Sequence, residues 1–240
     1  LDQYKGIERD EEGPQEGATE LYSKWGIRKQ VLEDLYLRFF RIADEQIGEH
    51  ADHGVVSLIT NNSFVRGRSH PVMRESLLEN FDSIRIDNLN GDKRRTGKVI
   101  PSWAPGAGTA DQSIFTTKLA PGGIKPGVAI TTLVKDESRP EAPAKVLYRN
   151  FWGGAEGKRD ALLEIIGEKE LPDGVEVENR PQGPREYTEF IPTEEKRWKL
   201  VPIGFAGGYE KWYAITDLFP ESEQGVNPNR GISGSVISME

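Results

Sequence analysis

Apolar residues first recur at helical spacing between residues 29 and 48. The recurring positions are Val31, Leu32, Leu35, Tyr36, Phe39, Phe40, Ile42, Ala43 and Ile47. This spacing gathers them on one face and predicts an amphipathic helix. Gly48 stands where such a helix ends. Residues 1–24 are acidic and show no period, so we expect a loop before the helix.

A short apolar run follows this helix and stops abruptly in polar residues. Residues 54–59, GVVSLI, have the length of a buried strand in a parallel sheet. Thr60, Asn61, Asn62 and Ser63 come next, and all four carry hydrogen-bonding side chains. Ligands bind beyond the carboxyl ends of strands in open α/β sheets, so these residues are candidates for a binding edge. The alternative is that Asn61 or Asn62 fixes the local loop as an Asx turn.

Helices and strands continue to alternate up to residue 135. Pro71 suits the first turn of a short amphipathic helix, and residues 81–89 alternate like a strand before the turn signal Asn90-Gly91. A loop rich in Gly and Pro follows at 101–108. Residues 113–117 and 127–134 are predicted to be the two strands of a final hairpin. This order corresponds to the C-terminal half of an open α/β sheet.

The character of the sequence changes beyond Lys135. Residues 136–143 are typical of a linker, 145–151 of a strand and 158–166 of a helix. Pro, Gly and charged residues dominate from there on, with isolated aromatics. We therefore expect two regions, an α/β half-sheet at 1–135 and an irregular α+β region at 136–240.

Composition narrows the class of protein. The 240 residues suffice for a sizeable core, and 36% hydrophobic with 29% charged residues suit a globular protein. No apolar run approaches the ~20 residues of a membrane span, so we expect no membrane partner. The absence of Cys excludes a disulfide framework, a thiolate zinc site and a Cys nucleophile and is compatible with the cytoplasmic location that we expect. His50, His53 and His70 lack metal-ligand spacing with carboxylates, so we interpret them as surface or loop residues.

Charge is unevenly distributed along the chain. The net charge of −8 argues against a protein that coats nucleic acid without specificity. Bases nevertheless outnumber acids between residues 66 and 98. Four of them, Lys93, Arg94, Arg95 and Lys98, follow the Asn90-Gly91 turn and are candidates for contacts to the phosphates of a nucleic acid. The alternative is a solvated turn.

The order of these segments resembles the second half of a DNA adenine-N6 methyltransferase of the gamma arrangement, as in fused restriction-modification enzymes. DLYLRFFRIADEQI is similar to the helix after the catalytic loop, and GVVSLITNNSFVRG to the fifth strand and its exit. MRESLLENFDSIRIDNLNGDKRR resembles the helix, sixth strand and turn that follow, and DQSIFTT with GVAITTLVK the final hairpin. VLYRNF, KRDALLEII, RWKLVPI and YEKWYAITDLFP resemble the passage into a target-recognition region.

The resemblance implies a Rossmann-like class I methyltransferase sheet, S-adenosylmethionine as the methyl donor and double-stranded DNA as the partner. It implies that Phe39 packs near the adenine of the cofactor and that Phe115 stacks on a base flipped out of the duplex. Asn61 and Asn62 would shape the wall between cofactor and base. The alternatives are core packing for Phe39 and hairpin packing for Phe115.

Two motifs of that family are absent from the sequence. The Gly-rich loop Phe-x-Gly-x-Gly and the tetrad Asn-Pro-Pro-Tyr, which binds the target amino group, do not occur. We therefore expect these residues to need the upstream half of the methyltransferase and to be inactive alone. Two alternatives stay open. One is a DNA-binding specificity or scaffold module that has lost its catalytic half, and the other is a methyltransferase of the same fold that acts on RNA or protein.

Overall fold

A computed structural model describes residues 9–10, 13–14, 24–27, 34–93, 99–136, 143–165 and 186–202, all within one compact unit, Leu1–Pro202. The strands are β1 Arg9–Asp10, β2 Gly13–Pro14, β3 Gly54–Asn61, β4 Ser83–Asn90, β5 Val128–Lys135, β6 Lys145–Asn150 and β7 Thr188–Phe190. The α-helices are α1 Leu35–Ala43, α2 Ser63–Arg66, α3 Pro71–Asn80 and α4 Ala155–Ile165, with a π-helix at Asp44–Glu49 and a 3₁₀ turn at Glu194–Lys196.

Five of the strands form one mixed sheet in the order β3-β5-β4-β6-β7, and β1 pairs only with β2 among the described strands. Strand β5 is antiparallel to both β3 and β4, β4 is parallel to β6, and β7 is antiparallel to β6. Strands β3, β4 and β6 therefore run in the same direction. Their carboxyl ends meet at one edge of the sheet, which confirms an α/β fold with a polar-ended strand at that edge.

Two hydrophobic clusters cover the two faces of the sheet. The larger contains residues of α1, α3, β4 and β5, among them Phe40, Leu77 and Leu133. The smaller contains Val128 from β5 and Ala161 from α4. Because successive residues of a strand point to opposite faces, the clusters lie on opposite sides of β5. The helices thus sandwich the sheet.

The predicted helix at residues 29–48 is confirmed over its described part, which begins at α1. Leu37 and Phe40 are fully buried, and the apolar face packs on the larger cluster. The helix then widens into the π-helix Asp44–Glu49. Buried Asp44 accepts hydrogen bonds there from Oγ of Ser76 at 2.7 Å and Nδ2 of Asn80 at 2.9 Å. These bonds fix the junction against α3.

Strand β3 is not the buried core strand that its apolar run predicts. Among the described residues it pairs only with β5, so it lies at the end of the sheet. Val56 and Leu58 pack on the larger cluster, whereas Val55 and Ile59 are 66% and 63% exposed. The prediction was wrong about burial because strand composition does not reveal how many neighbours a strand has.

The predicted final hairpin is also wrong. Residues 113–117 form a turn, closed by the bond from N of Thr116 to O of Ser113 at 2.9 Å. Nη1 of Arg159 donates to O of Ile114 at 2.6 Å, which satisfies a carbonyl that a strand would have paired. Strand β5 could not have taken this partner, because β3 and β4 occupy both of its edges.

Several other sequence predictions are confirmed. Helix α3 begins at Pro71, and Asn90 and Gly91 have φ angles of 49° and 76°, as a left-handed turn after β4 requires. Strand β6 and helix α4 match the predicted elements at 145–151 and 158–166. The region boundary at residue 135 stays a prediction, although the sheet contains strands from both sides of it.

Candidate functional site

Asn61 and Asn62 make different hydrogen bonds where β3 ends. Oδ1 of Asn61 accepts a hydrogen bond from the backbone N of Ser63 at 2.9 Å. This is the Asx turn that the sequence offered as an alternative. Asn62 is 7% exposed, and its backbone N donates to O of Gly127 at 3.0 Å, which anchors the exit of β3 to the start of β5.

The side chain of Asn62 joins a larger group of polar side chains, the amide cluster, formed by Asn62, Asn88, Asn90, Tyr148 and Asn150. Nδ2 of Asn62 donates to Oδ1 of Asn88 at 2.7 Å. Nδ2 of Asn88 lies within hydrogen-bond distance of Oδ1 of Asn90 at 3.0 Å, the hydroxyl of Tyr148 at 2.8 Å and Oδ1 of Asn150 at 2.9 Å. The cluster ties together the carboxyl ends of β3, β4 and β6.

Three members of the amide cluster were not predicted as site residues from the sequence: Asn88, Asn90 and Asn150. A signal was present, because Asn is depleted in strands and β4 ends in Asp87-Asn88-Leu89-Asn90. Asn88 and Asn90 are each 3% exposed. A buried amide must find partners, and the partners lie on strands that only the sheet order brings together.

A buried lysine fixes the turn that carries Phe115. Nζ of Lys158 contacts Oδ1 of Asp111, O of Leu89 and O of Gln112, each at 2.7 Å. Burial lowers the pKa of Lys158, and Asp111 opposes that shift. Oδ2 of Asp111 also accepts from N of Gly91 at 2.8 Å. The 111–117 turn is therefore held against the carboxyl end of β4.

Phe115 and Phe39 are both exposed aromatics. Phe115 is 47% exposed, and the predicted alternative of hairpin packing fails with the hairpin itself. Phe39 is 53% exposed on α1, where Leu35 and Ile42 are exposed as well. Neither described hydrophobic cluster contains Phe39, so core packing is not its role in the described part of the chain. Both rings are available to a ligand or another segment.

The four basic residues after Asn90-Gly91 form the segment that we call the basic turn, and the structure describes only its first residue, Lys93. N of Lys93 donates to O of Lys125 at 3.1 Å, which joins the turn to the loop before β5. Arg94, Arg95 and Lys98 lie outside the described residues. Their proposed role in phosphate contact stays a prediction.

His70 is a loop residue, as interpreted, but it does not lie at the surface. His70 is 7% exposed, and its Nε2 lies 3.5 Å from the hydroxyl of Tyr36. Burial, and secondarily the charge of Arg74, lower the pKa of His70 to about 4. His70 is thus a neutral, packed residue in front of α3. Within the described ranges, no group of His, Asp and Glu is suited to hold a metal ion, and no helix is long and apolar enough to cross a membrane.

No protein-family model matches the chain, and no curated protein matches it. Several solved structures are similar over part of it, among them these three. A DrdV–DNA complex has 21% identity and a TM-score of 0.48 over 72% of this chain. A nuclease-deletion mutant of the Type ISP restriction-modification enzyme LlaGI, in complex with a DNA substrate mimic, has 20% identity and a TM-score of 0.49 over 81% of this chain. The ATP-dependent Type ISP restriction-modification enzyme LlaBIII, bound to DNA, has 23% identity and a TM-score of 0.46 over 73% of this chain.

The chain spans only a small part of these structures. It covers 14% of the DrdV and LlaGI chains and 10% of the LlaBIII chain.

Proposed function

We propose that this chain contributes the base-pocket wall and DNA contacts of an S-adenosylmethionine-dependent DNA adenine-N6 methyltransferase of a restriction-modification system. The observation that carries the proposal is the strand arrangement. In a class I methyltransferase sheet, the last strand runs antiparallel between the fifth and sixth strands. Strand β5 lies in this way between β3 and β4, which are the segments that resemble the fifth and sixth strands.

The polar edge suits the chemistry of the proposed reaction. The N6 amino group of adenine is a poor nucleophile, because its lone pair is delocalised into the ring. The base must therefore leave the duplex and be held in a fixed orientation. Asn61 and the amide cluster form a rigid, hydrogen-bonded wall at the carboxyl edge of the sheet. Such a preformed wall orients a base without reorganising during the reaction.

The two exposed aromatic residues support separate binding positions for the target base and the cofactor. Phe115 is held at the end of β4 by the Asp111–Lys158 contact, and stacking on such a ring contributes ~1–3 kcal/mol per base. Phe39 has an exposed ring on α1, against which the adenine of S-adenosylmethionine would pack in the proposed enzyme. Bound S-adenosylmethionine would supply an electrophilic methyl group. The residues of this chain would hold and orient the base and the cofactor. The proton that N6 loses on methylation would pass to the upstream half of the enzyme or to water.

The test uses a longer enzyme that carries these residues together with an upstream methyltransferase half. Phe115→Ala should weaken flipping of the target base, reported by a fluorescent base analogue, by about tenfold or more. Binding of S-adenosylmethionine should change little. Leu119→Ala is the matched control, because Leu119 is an apolar residue of the same loop and is 99% exposed.

The 240 residues alone should transfer no labelled methyl group from S-adenosylmethionine to DNA. Methyl transfer by this chain alone would contradict the proposed division of the active site. Loss of folding in Phe115→Ala would identify Phe115 as a packing residue instead. Unchanged base flipping in a folded Phe115→Ala enzyme would remove Phe115 from the base pocket.

A further inference from the structure

A cavity of about 680 Å³ opens where β6 ends and α4 begins. The loop at 100–109 and residues 186–188 complete its walls. Small-molecule sites commonly have volumes of about 300–1,000 Å³, so the cavity can admit an aromatic heterocycle such as a nucleobase. It is separate from the 113–117 turn that carries Phe115, since none of the turn residues lines it.

Two tryptophans give the cavity an aromatic wall. The rings of Trp103 and Trp152 meet edge to face, with centroids 5.7 Å apart and planes at 83°. Trp103 is 69% exposed although it is the largest type of apolar side chain. A solvent-exposed Trp at the mouth of a cavity offers its surface for stacking with a planar ligand.

The cavity also contains one oriented hydrogen-bond donor. Oδ1 of Asn150 accepts hydrogen bonds from the hydroxyl of Tyr148 at 2.7 Å, Nδ2 of Asn88 at 2.9 Å and Nδ2 of Asn90 at 3.3 Å. These three donors fix which side of the amide is oxygen. Among the described residues, Nδ2 of Asn150 has no acceptor, and Asn150 lines the cavity. The amide cluster thus leaves a rigid donor for an acceptor atom of a ligand.

Buried cations at the cavity wall are already compensated. Lys158 pairs with Asp111, and both side chains are 0% exposed. Arg149 pairs with Asp87, and its guanidinium lies over the ring of Tyr187 at 4.1 Å from the centroid. A phosphate would compete with these carboxylates, whereas an uncharged ring leaves the pairs intact. The other two charged residues of the wall, Arg66 and Glu186, carry opposite charges. The wall has no excess of one sign and therefore favours a neutral aromatic ligand.

We propose that this cavity binds a single unstacked nucleobase, with its ring against Trp103, which Trp152 supports edge to face, and an acceptor atom of the ring on Nδ2 of Asn150. The choice of a DNA strand as the source of the base rests on the proposed function. The base chemistry itself does not, because it follows from the tryptophans, the oriented donor and the compensated charges. This site is an addition to the pocket assigned to Phe115.

The experiment titrates the 240-residue chain into a short duplex that carries 2-aminopurine as an unpaired base, and follows the fluorescence of that base. The same duplex with 2-aminopurine paired and free adenosine are the comparison ligands, and adenosine is measured as a competitor because it is not fluorescent. The unpaired base should bind at least about tenfold more tightly than either. Trp103→Ala should weaken this binding about tenfold, and Trp103→Phe should restore most of it, because a smaller aromatic face remains.

Asn150→Asp tests the donor. The carboxylate keeps the three acceptor contacts to Tyr148, Asn88 and Asn90 but removes the NH₂ group, so binding should weaken about tenfold. Ser102→Asp is the matched control, because it adds the same charge at an exposed residue beside Trp103 that does not itself line the cavity. Leu119→Ala controls for the loss of an exposed apolar side chain. Both controls should bind within about twofold of the unchanged chain.

Three results would overturn the inference. Unchanged binding in folded Trp103→Ala would remove the stacking wall, and equal weakening by Ser102→Asp and Asn150→Asp would attribute the effect to charge. Equal binding of adenosine and the unpaired base would make a free nucleoside the ligand and exclude DNA as the required source. None of these assays contains S-adenosylmethionine or measures methyl transfer, so their failure is distinguishable from a failure of the proposed function.

Discussion

Nδ2 of Asn62 donates to Oδ1 of Asn88 over 2.7 Å and so joins two strands that are not neighbours in the sheet. Asn62 follows β3, Asn88 lies in β4, and β5 runs between these strands. The bond passes over the start of β5 at Gly127, whose carbonyl accepts the backbone N of Asn62 at 3.0 Å. The carboxyl edge of the sheet is therefore cross-linked by side chains as well as by strand pairing.

Asn88→Ala should be the most costly change in the amide cluster. Asn88 contacts all four other members, and its removal leaves buried donors and acceptors without a partner. An unsatisfied buried group costs about 1–3 kcal/mol, so we expect the free energy of unfolding to fall by about 3 kcal/mol. Urea denaturation measures this loss as a lower midpoint at an unchanged slope. Asn62→Ala, which removes one bond of the cluster, should cost about 1 kcal/mol. Equal losses would contradict the central place of Asn88.

Gly127→Ala should destabilise the chain through Asn62. A Cβ atom at position 127 would lie 2.6 Å from Nδ2 of Asn62, so the amide must move and give up its bond to Asn88. We expect a loss of about 1–3 kcal/mol in the free energy of unfolding. Gly122→Ala is the control, because the nearest atom to its Cβ would be Nζ of Lys93 at 3.9 Å.

A double-mutant cycle tests the mechanism of this effect. In an Asn62→Ala background the obstructing amide is gone, so Gly127→Ala should cost much less than in the unchanged chain. The two changes should therefore be non-additive by about 1 kcal/mol. Additive costs would mean that the backbone next to β5 itself requires Gly127, and that the loss of stability does not come from a Cβ atom obstructing the side chain of Asn62.

Local patterns were sufficient where the residues themselves determine the element. Pro71 fixed the start of α3, Asn90-Gly91 fixed the turn after β4, and the apolar period fixed α1. Each of these signals acts over a few residues and through sterics or burial on one face. Most helix and strand positions up to residue 165 were accordingly predicted well.

Residues far apart in the sequence compete for the same hydrogen-bonding partners, and this competition explains what the sequence could not predict. The 113–117 segment is a turn because Arg159 satisfies the carbonyl of Ile114, and β5 already has two neighbours. Of the candidate site residues, Asn62 was selected because it directly follows a strand. Asn88 and Asn150 were missed because their partners are set by strand order, which the spacing of residues along the chain does not contain.

His70 should make stability depend on pH between about 6.5 and 4. Its folded pKa is lowered to about 4 by burial, with a smaller effect of Arg74, whereas an unfolded His titrates near 6.5. Above pH 6.5 both states are neutral at this residue. As pH falls towards 4 the unfolded state takes up a proton that the folded state does not, so the free energy of unfolding falls by about 3 kcal/mol.

The measurement is urea denaturation of the chain and of His70→Gln at several pH values in this window. The difference between their stabilities should shrink or reverse as pH falls, because the glutamine side chain of the variant cannot take up a proton. A His70→Gln profile parallel to that of the unchanged chain would show that the imidazole is not held neutral by burial.

The last prediction concerns the basic turn that starts at Lys93. If Arg94 and Arg95 contact phosphates, changing both to Ala in the complete enzyme should weaken binding to all duplexes alike, because phosphate contacts position DNA without reading bases. The slope of log affinity against log salt should fall in magnitude by about 0.9 for each lost contact. Salt titrations on a cognate and a random duplex measure both effects. Lys145→Ala is the control, because Lys145 is an exposed cation on β6 that pairs with Glu189 at 3.1 Å. An unchanged slope would identify the turn as solvated surface, and a loss confined to the cognate duplex would place the two arginines on base edges instead of phosphates.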